Sequence, residues 1–537
     1  MSAGWRLAWL TALAVLGGSG CALLDETPDP SQLVCRSDAD CATNEVCFPD
    51  GCGDPGRDIV VEVTPNPHDG LHAQDFRVDA IRPELNLALF GPATVQGTTV
   101  RVTSMPGADA PTTRPYSEPL RLSASGESAL LPGVVRTFTA HLVPTNGRWA
   151  LPVGTGAYAV TLSPEDPRLP PVRGQATVEP GSAVPLHLVL PSPNQVVLLE
   201  GQVVRQGAVR VDASLEVQAL DADLTPLSQR VPVTRATGSF ALALPVEAAQ
   251  RPSLLLRVTA TGDMWVPQKT FTVDPREPLT APLELGDYGE PVEVSGRILA
   301  RDGRPVANAS VSLRGQVGGG GSFQGPLSTT DAEGHFTART LPAAVGSLLS
   351  LVVVPPSGST AGLMVQPVDV PRTGAVLPDV ICPERRILRG ALLQTDNLQP
   401  APGVRVLAEP VGQVPGWPRP PAGGESLGTT NDSGAFRLWL DPGVYRMDFI
   451  PTENLPRVSR VVTVLPGDDS AEQVLATFPL QRGRTVRGHV SEAGHASPYA
   501  SVRFYRVANL EGRPFSVLLS QTVSDHLGRY SALLPVR

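Results

Sequence analysis

The chain has 537 residues, a formal charge of −9 and 41% hydrophobic residues, so it is too long for one core and is expected to divide into several domains. A single lysine, Lys269, and scattered arginines leave no basic stripe, which excludes nucleic acid as a partner class. The 52 glycines and 56 prolines suit many short strands joined by turns, and alternating apolar runs along the whole chain argue against disorder.

At the amino terminus Arg6 precedes an apolar run from Leu7 to Leu16, followed by Gly17, Gly18, Ser19, Gly20 and Cys21. A run this short, ending in small residues, reads as a signal peptide over residues 1–20 and not as a membrane span. A cysteine directly after the small residues resembles the lipobox of bacterial lipoproteins, with Gly18 standing where leucine is usual. The resemblance implies cleavage before Cys21 and a diacylglycerol on its thiol. With Ala22 next, in place of an aspartate, it also implies sorting to the outer membrane, on the surface or the periplasmic face. Acylation with two or more chains anchors a protein stably.

Residues 21–57 form the expected anchor and cysteine-rich segment. Cys35, Cys41, Cys47 and Cys52 fall within CRSDADCATNEVCFPDGC, and an oxidising compartment makes two disulfides the expectation, with three pairings open. The gaps contain no CxxC pair, which disfavours zinc. Asp38 and Asp40 read as a solvated acidic turn and not a calcium site. The cluster resembles cysteine-rich segments that follow the anchor in other bacterial lipoproteins, which implies a stalk or cap. Cys382 stands alone and reads as a small buried hydrophobe.

From residue 58 onward internal similarity dominates. Three copies share a strand with Gly296, Gly390 or Gly488, a proline at 305, 402 or 498, and a second strand of alternating apolar residues. A turn then ends in Gly334, Gly434 or Gly528, with Phe336, Phe436 or Tyr530 two residues on. Val311 and Leu313, Val404 and Val406, and Val502 and Phe504 alternate with polar neighbours, the period of a half-buried strand. Asp331, Asn431 and Asp525 stand where a side-chain oxygen accepts backbone N–H groups in the turn. The aromatic after the turn re-enters the core, contributing about 1.5–3 kcal/mol. ATGSFALALP (Gly238, Phe240, Pro245, with Arg235 in place of the turn acid) and GRWALPVGTGAYAVTL (Gly147, Trp149) are weaker copies.

The three clear copies resemble the carboxypeptidase regulatory-like family, also described as transthyretin- or prealbumin-like, over about the carboxyl-terminal half. The resemblance implies seven-stranded Greek-key β-sandwiches and says almost nothing about activity. The expected fold class is therefore all-β, with tandem sandwiches in a stiff row over 58–193, 194–286, 287–382, 383–481 and 482–537. The last copy stops where the middle one continues with GVYRMDF. Either another chain closes it, or the sequence is a fragment with a catalytic domain beyond Arg537.

No catalytic constellation emerges. His68 and His72 have i, i+4 spacing, but Pro65, Pro67 and Gly70 disfavour the aligning helix and no HExxH follows. No GxSxG elbow or phosphate-binding loop is present, and Gly318 to Gly321 reads as a flexible hairpin loop. Trp439, outward-facing if Phe436 and Leu438 face the core, and Trp417, in VPGWPRPP, are candidates for stacking on sugar rings. Cover by the loop or a neighbouring module is the competing expectation for Trp439. The sequence thus points to a lipid-anchored envelope scaffold with no enzyme activity, cofactor or metal, whose partners are the membrane and other envelope proteins or polysaccharide. The alternatives are a carbohydrate-binding lipoprotein and the arm of an enzyme.

Overall fold

A computed structural model describes residues 46–48, 51–53, 59–78, 82–103, 112–205, 214–394, 398–421, 424–452, 455–467, 472–480, 482–510 and 513–535. The architecture is all-β, as expected: pairs of small sheets repeat along the chain as five sandwich modules. Modules I to IV occupy residues 93–190, 196–285, 292–381 and 386–480.

Each module uses the same wiring. Its first strand is central in one sheet, between an antiparallel strand on one side and a parallel strand that closes the module on the other. In module I, Ala93–Thr103 lies between Arg148–Val153 and Ala183–Leu190. The second sheet runs in the order 172–178, 156–164, 120–127, 135–142. Modules II, III and IV repeat this with first strands Val196–Val204, Val292–Leu299 and Arg386–Gln394.

A glycine–aromatic pair lies at the same register in all five. Gly97 faces Trp149, Gly201 faces Phe240, Gly296 faces Phe336, Gly390 faces Phe436 and Gly488 faces Tyr530 across the ladder. The glycine leaves the room in which the ring lies down over the first strand: a Cβ at Gly296 or Gly390 would meet the ring at 3.1 or 2.5 Å. The two weak copies keep this pair, which ties them to the same plan.

The turns behave as their sequence predicts. The Oδ1 atoms of Asp331, Asn431 and Asp525 accept from the backbone N–H groups two and four residues on, at 2.7–3.1 Å. Gly334, Gly434 and Gly528 take φ near +75° in the left-handed region. One recurrent feature was not singled out from sequence: the hydroxyl residue just before the turn acid. Thr330, Thr430 and Ser524 are buried, and each donates to a carbonyl and accepts a backbone N–H of the preceding connection. The motifs TTD, TTN and VSD carry that signal.

The fifth module departs from the expected boundaries. Residues 483–535 supply four long strands and leave two strands of the second sheet and the parallel closing position unfilled. Residues 59–89, grouped above with the segment up to 193, fill them. Ile59–Thr64 pairs with Ser501–Leu510, Gln74–Val78 pairs with Ile59–Thr64, and Leu87–Leu89 runs parallel to Gly483–Glu492. The two ends share one core, in which Val61, Val63 and Leu87 pack with Val490, Phe504 and Leu534. The physical reason is completion of the sandwich: module I builds both its sheets from its own strands, whereas the last repeat lacks three of its strands and takes them from 59–89. The closing strand that the last repeat was expected to take from another chain or from beyond Arg537 therefore comes from upstream in this chain. The expected row of modules becomes a closed cycle, because module V is joined covalently to module IV at one side and to module I at the other.

The glycine run at 318–321 also differs from expectation. Gly318–Gly320 forms a 3-10 turn packed on module II, where Gly319 approaches Leu285 and Gly286 too closely for a Cβ. The Lys269 ammonium donates to the Gly319 carbonyl at 2.5 Å and to Glu284 O at 2.7 Å. It is a joint, not a free loop. Modules II and III indeed share a continuous apolar core, and Cys382 lies in it, fully buried, with its thiol pushed up to about 12 by burial.

Candidate functional site

The densest cluster of buried charge lies where module V meets module I. It is built on the strands that close the cycle. Period-two alternation sends Ile59, Val61 and Val63 into the core of module V, and so turns Glu62 to the opposite face. Asp75 is its direct cross-strand neighbour. Two carboxylates side by side repel each other, and both are buried, with side chains 7% and 0% exposed.

Arg136, on strand Val135–Leu142 of module I, resolves the conflict. Its Nη2 donates to Glu62 at 2.8 Å and to Asp75 at 2.7 Å, and its Nη1 donates to Asp75 at 2.9 Å. Burial opposes charge on this guanidinium, yet Asp75 and then Glu62 raise its pKa above the ordinary arginine range. The remaining lone pairs are also used. Ser128 donates to Asp75, Tyr505 donates to Glu62 at 3.2 Å, and Arg503 donates to Glu62 at 3.4 Å. The Tyr505 phenol is pushed up to about 12, chiefly by burial and then by Glu62.

Around this cluster the joint is knit further. The Gln74 amide and the Phe90 backbone exchange two hydrogen bonds, at 2.8 and 2.9 Å. The His72 ring packs on Phe138 of module I at 4.7 Å, and burial holds its imidazole below the ordinary value. Ser516 of module V donates to Pro132 O of module I at 2.9 Å. Both carboxylates are held by an arginine, so the arrangement suits clamping and not proton transfer.

The residues singled out from sequence lie elsewhere. Cys21, Cys35 and Cys41 fall outside the described residues. Cys47 and Cys52 occupy directly opposed ladder positions in the hairpin 46–53, which lies beside strand Ser501–Leu510. His68 sits in an exposed turn, apart from the packed His72. Among the described residues no group of three or more His, Cys, Asp or Glu is placed to hold a metal ion, and no helix is long and apolar enough to cross a membrane. Phe436, Leu438 and Leu440 do face the core, and Trp439 does face outward. It is half-buried, with the Arg437 guanidinium 5.2 Å from its ring, in a cleft with Arg385 and Pro420. Trp417 is 38% exposed and lines a different groove, with Leu363 and Ile381. The two rings do not form one platform.

Sequence reasoning missed Glu62, Asp75 and Arg136. An acid in the middle of IVVEVT was the only visible signal, and nothing local links it to residue 136.

No family model matches the chain, and no curated protein matches it. Solved structures give partial likenesses. The Bacillus anthracis TIE protein aligns at 12% identity over 71% of this chain and 73% of that one, with a TM-score of 0.16. A streptococcal ancillary pilin aligns at 12% over 72% and 99%, with a TM-score of 0.18. The minor pilin of Streptococcus agalactiae aligns at 14% over 35% and 95%, with a TM-score of 0.21. Scores this low carry no argument about function, and the fold rests on this chain's own strand pairing.

Proposed function

We propose that this chain is a non-catalytic structural scaffold of the cell envelope: five carboxypeptidase regulatory-like sandwiches closed into a cycle and tethered by an acylated Cys21. The observation that carries the reading is the closing joint. Its buried ions and the His72–Phe138 packing fix module V to module I, so the cycle is a rigid body and not a flexible string. Because the closing strands begin at Ile59, the tether leaves the cycle beside this joint. The cysteine-rich segment between is then a stapled stalk with two disulfides. The body presents other envelope proteins or polysaccharide at the outer membrane, without cofactor, metal or nucleic acid. Sugar stacking by Trp417 and Trp439 is the weaker reading, because the rings lie in separate clefts.

Intact-mass analysis of the natively expressed protein, with protease shaving of whole cells, tests this. A mature chain beginning at diacylated Cys21 is expected, with residues 59–535 left as one protease-resistant body. A chain without lipid, or a body cut readily between modules, would overturn it.

A further inference from the structure

Modules I and II border an open cleft whose lining is rich in arginine. Its floor is the outer face of the second sheet of module I, strands 172–178, 156–164 and 120–127. Arg173, Thr161 and Ser123 stand in one cross-strand row, and Ser163 and Arg121 in the next. Its wall is the 226–230 segment of module II, which brings Arg230 to the same space. Three arginines thus line one cleft in a chain whose net charge is −9. The guanidiniums of Arg121 and Arg230 have no hydrogen bond or ion pair among the described residues, and Arg173 spends one N–H on Pro226 O at 2.9 Å. The single carboxylate lining the cleft, Glu165, is engaged by His141 at 2.5 Å.

The cleft is also held open at a set width. Gln229 reaches from module II to donate to the carbonyls of Asp166 and Leu169 in module I, at 2.9 and 2.7 Å. Together with the Arg173–Pro226 bond, this fixes the wall against the floor. Preorganised donors bind without first paying an ordering cost.

We infer that this cleft binds an anionic glycan, one bearing carboxylate or phosphate groups. The guanidinium fork matches both anions. Hydroxyl and amide groups of Ser123, Thr161 and Gln218 supply neutral partners for sugar hydroxyls, and the faces of Pro171 and Pro226 offer apolar contact to C–H surfaces. No aromatic side chain lines the cleft. That disfavours single-stranded nucleic acid, which these sites hold by stacking bases on aromatic rings.

The test is titration calorimetry of the full chain with short polygalacturonate oligomers and with a phosphomannan, against neutral galactan. Binding of one or both anionic glycans is expected, weakened by added salt, with galactan not bound. Arg121→Gln and Arg230→Gln should each weaken it about tenfold, the loss of one charge-assisted hydrogen bond. Both side chains are exposed, so melting temperature should not change. Arg314→Gln with Arg405→Gln, which removes two exposed charges elsewhere, should leave binding intact. Failure to bind either anionic glycan, equal binding of galactan, an equal loss in the control variant, or tighter binding of single-stranded DNA would each overturn the inference.

Discussion

Replacing Arg136 by alanine removes the guanidinium that, among the described residues, alone touches both Glu62 and Asp75. It leaves two carboxylates facing each other across a ladder, 7% and 0% exposed, with only a tyrosine, a serine and the longer Arg503 contact as partners. Breaking a buried pair by deleting one member typically costs about 3–5 kcal/mol. The loss should fall on the joint: strands 59–64 and 74–78 should show faster amide exchange, while module III keeps its protection. Urea unfolding should develop an early phase of that size. An exposed pair gives the scale of a trivial effect, since Arg437 and Glu472 are 49% and 28% exposed and Arg437→Ala should cost no more than about 1 kcal/mol. A triple variant, Glu62→Gln, Asp75→Asn and Arg136→Met, removes the charges together and should recover much of the loss. If Arg136→Ala costs less than about 1 kcal/mol and leaves exchange at 59–78 unchanged, the joint is not what holds the cycle closed.

Three further outcomes follow from other parts of the fold. The His72 pKa is held below its unfolded value of 6.5, so the unfolded chain binds more protons in the interval between. Stability of the joint should therefore fall as pH drops through 6.5, and His72→Phe should flatten that part of the profile of exchange against pH. Gly390→Val would drive a side chain into the Phe436 ring and should lower stability by about 1–3 kcal/mol or more; an unchanged melting curve would remove the glycine–aromatic pair as a structural requirement. Cys382 should resist an aromatic disulfide reagent in the native protein and react on unfolding, because it is fully buried and its thiol is pushed up to about 12.

What could be read from sequence was local. The alternation of Phe436, Leu438 and Leu440, the acid–glycine turns and the outward Trp439 all depend on neighbours within one hairpin, and the structure reproduces them. The strand glycine and the post-turn aromatic were each visible in the clear copies but not their pairing across the ladder, and the turn glycine with its aromatic two residues on linked the weak copies to them. Long-range partnership was not visible. The strand IVVEVT has the same alternation wherever it pairs, and only the missing strands of the last repeat hinted that it belonged there. Glu62 and Arg136 lie 74 residues apart, and no periodicity records such a contact. The 318–321 glycines were misread for the same reason: a close approach to another module leaves the same trace as a flexible loop.

The closing strands also impose an order on biogenesis. Glu62 and Arg503, hydrogen-bonded across one ladder of module V, are separated by 441 positions. At usual synthesis rates the upstream strands emerge roughly 20–90 s before their partners exist. Through that interval Val60, Val61 and Val63 have no sheet to join, and a loop of this length forms late and slowly. Closure therefore waits until residues 501–510 have been made, and a copy truncated before them never completes it. Only a chain made through to Ser501–Leu510 can bury the strand Ile59–Thr64.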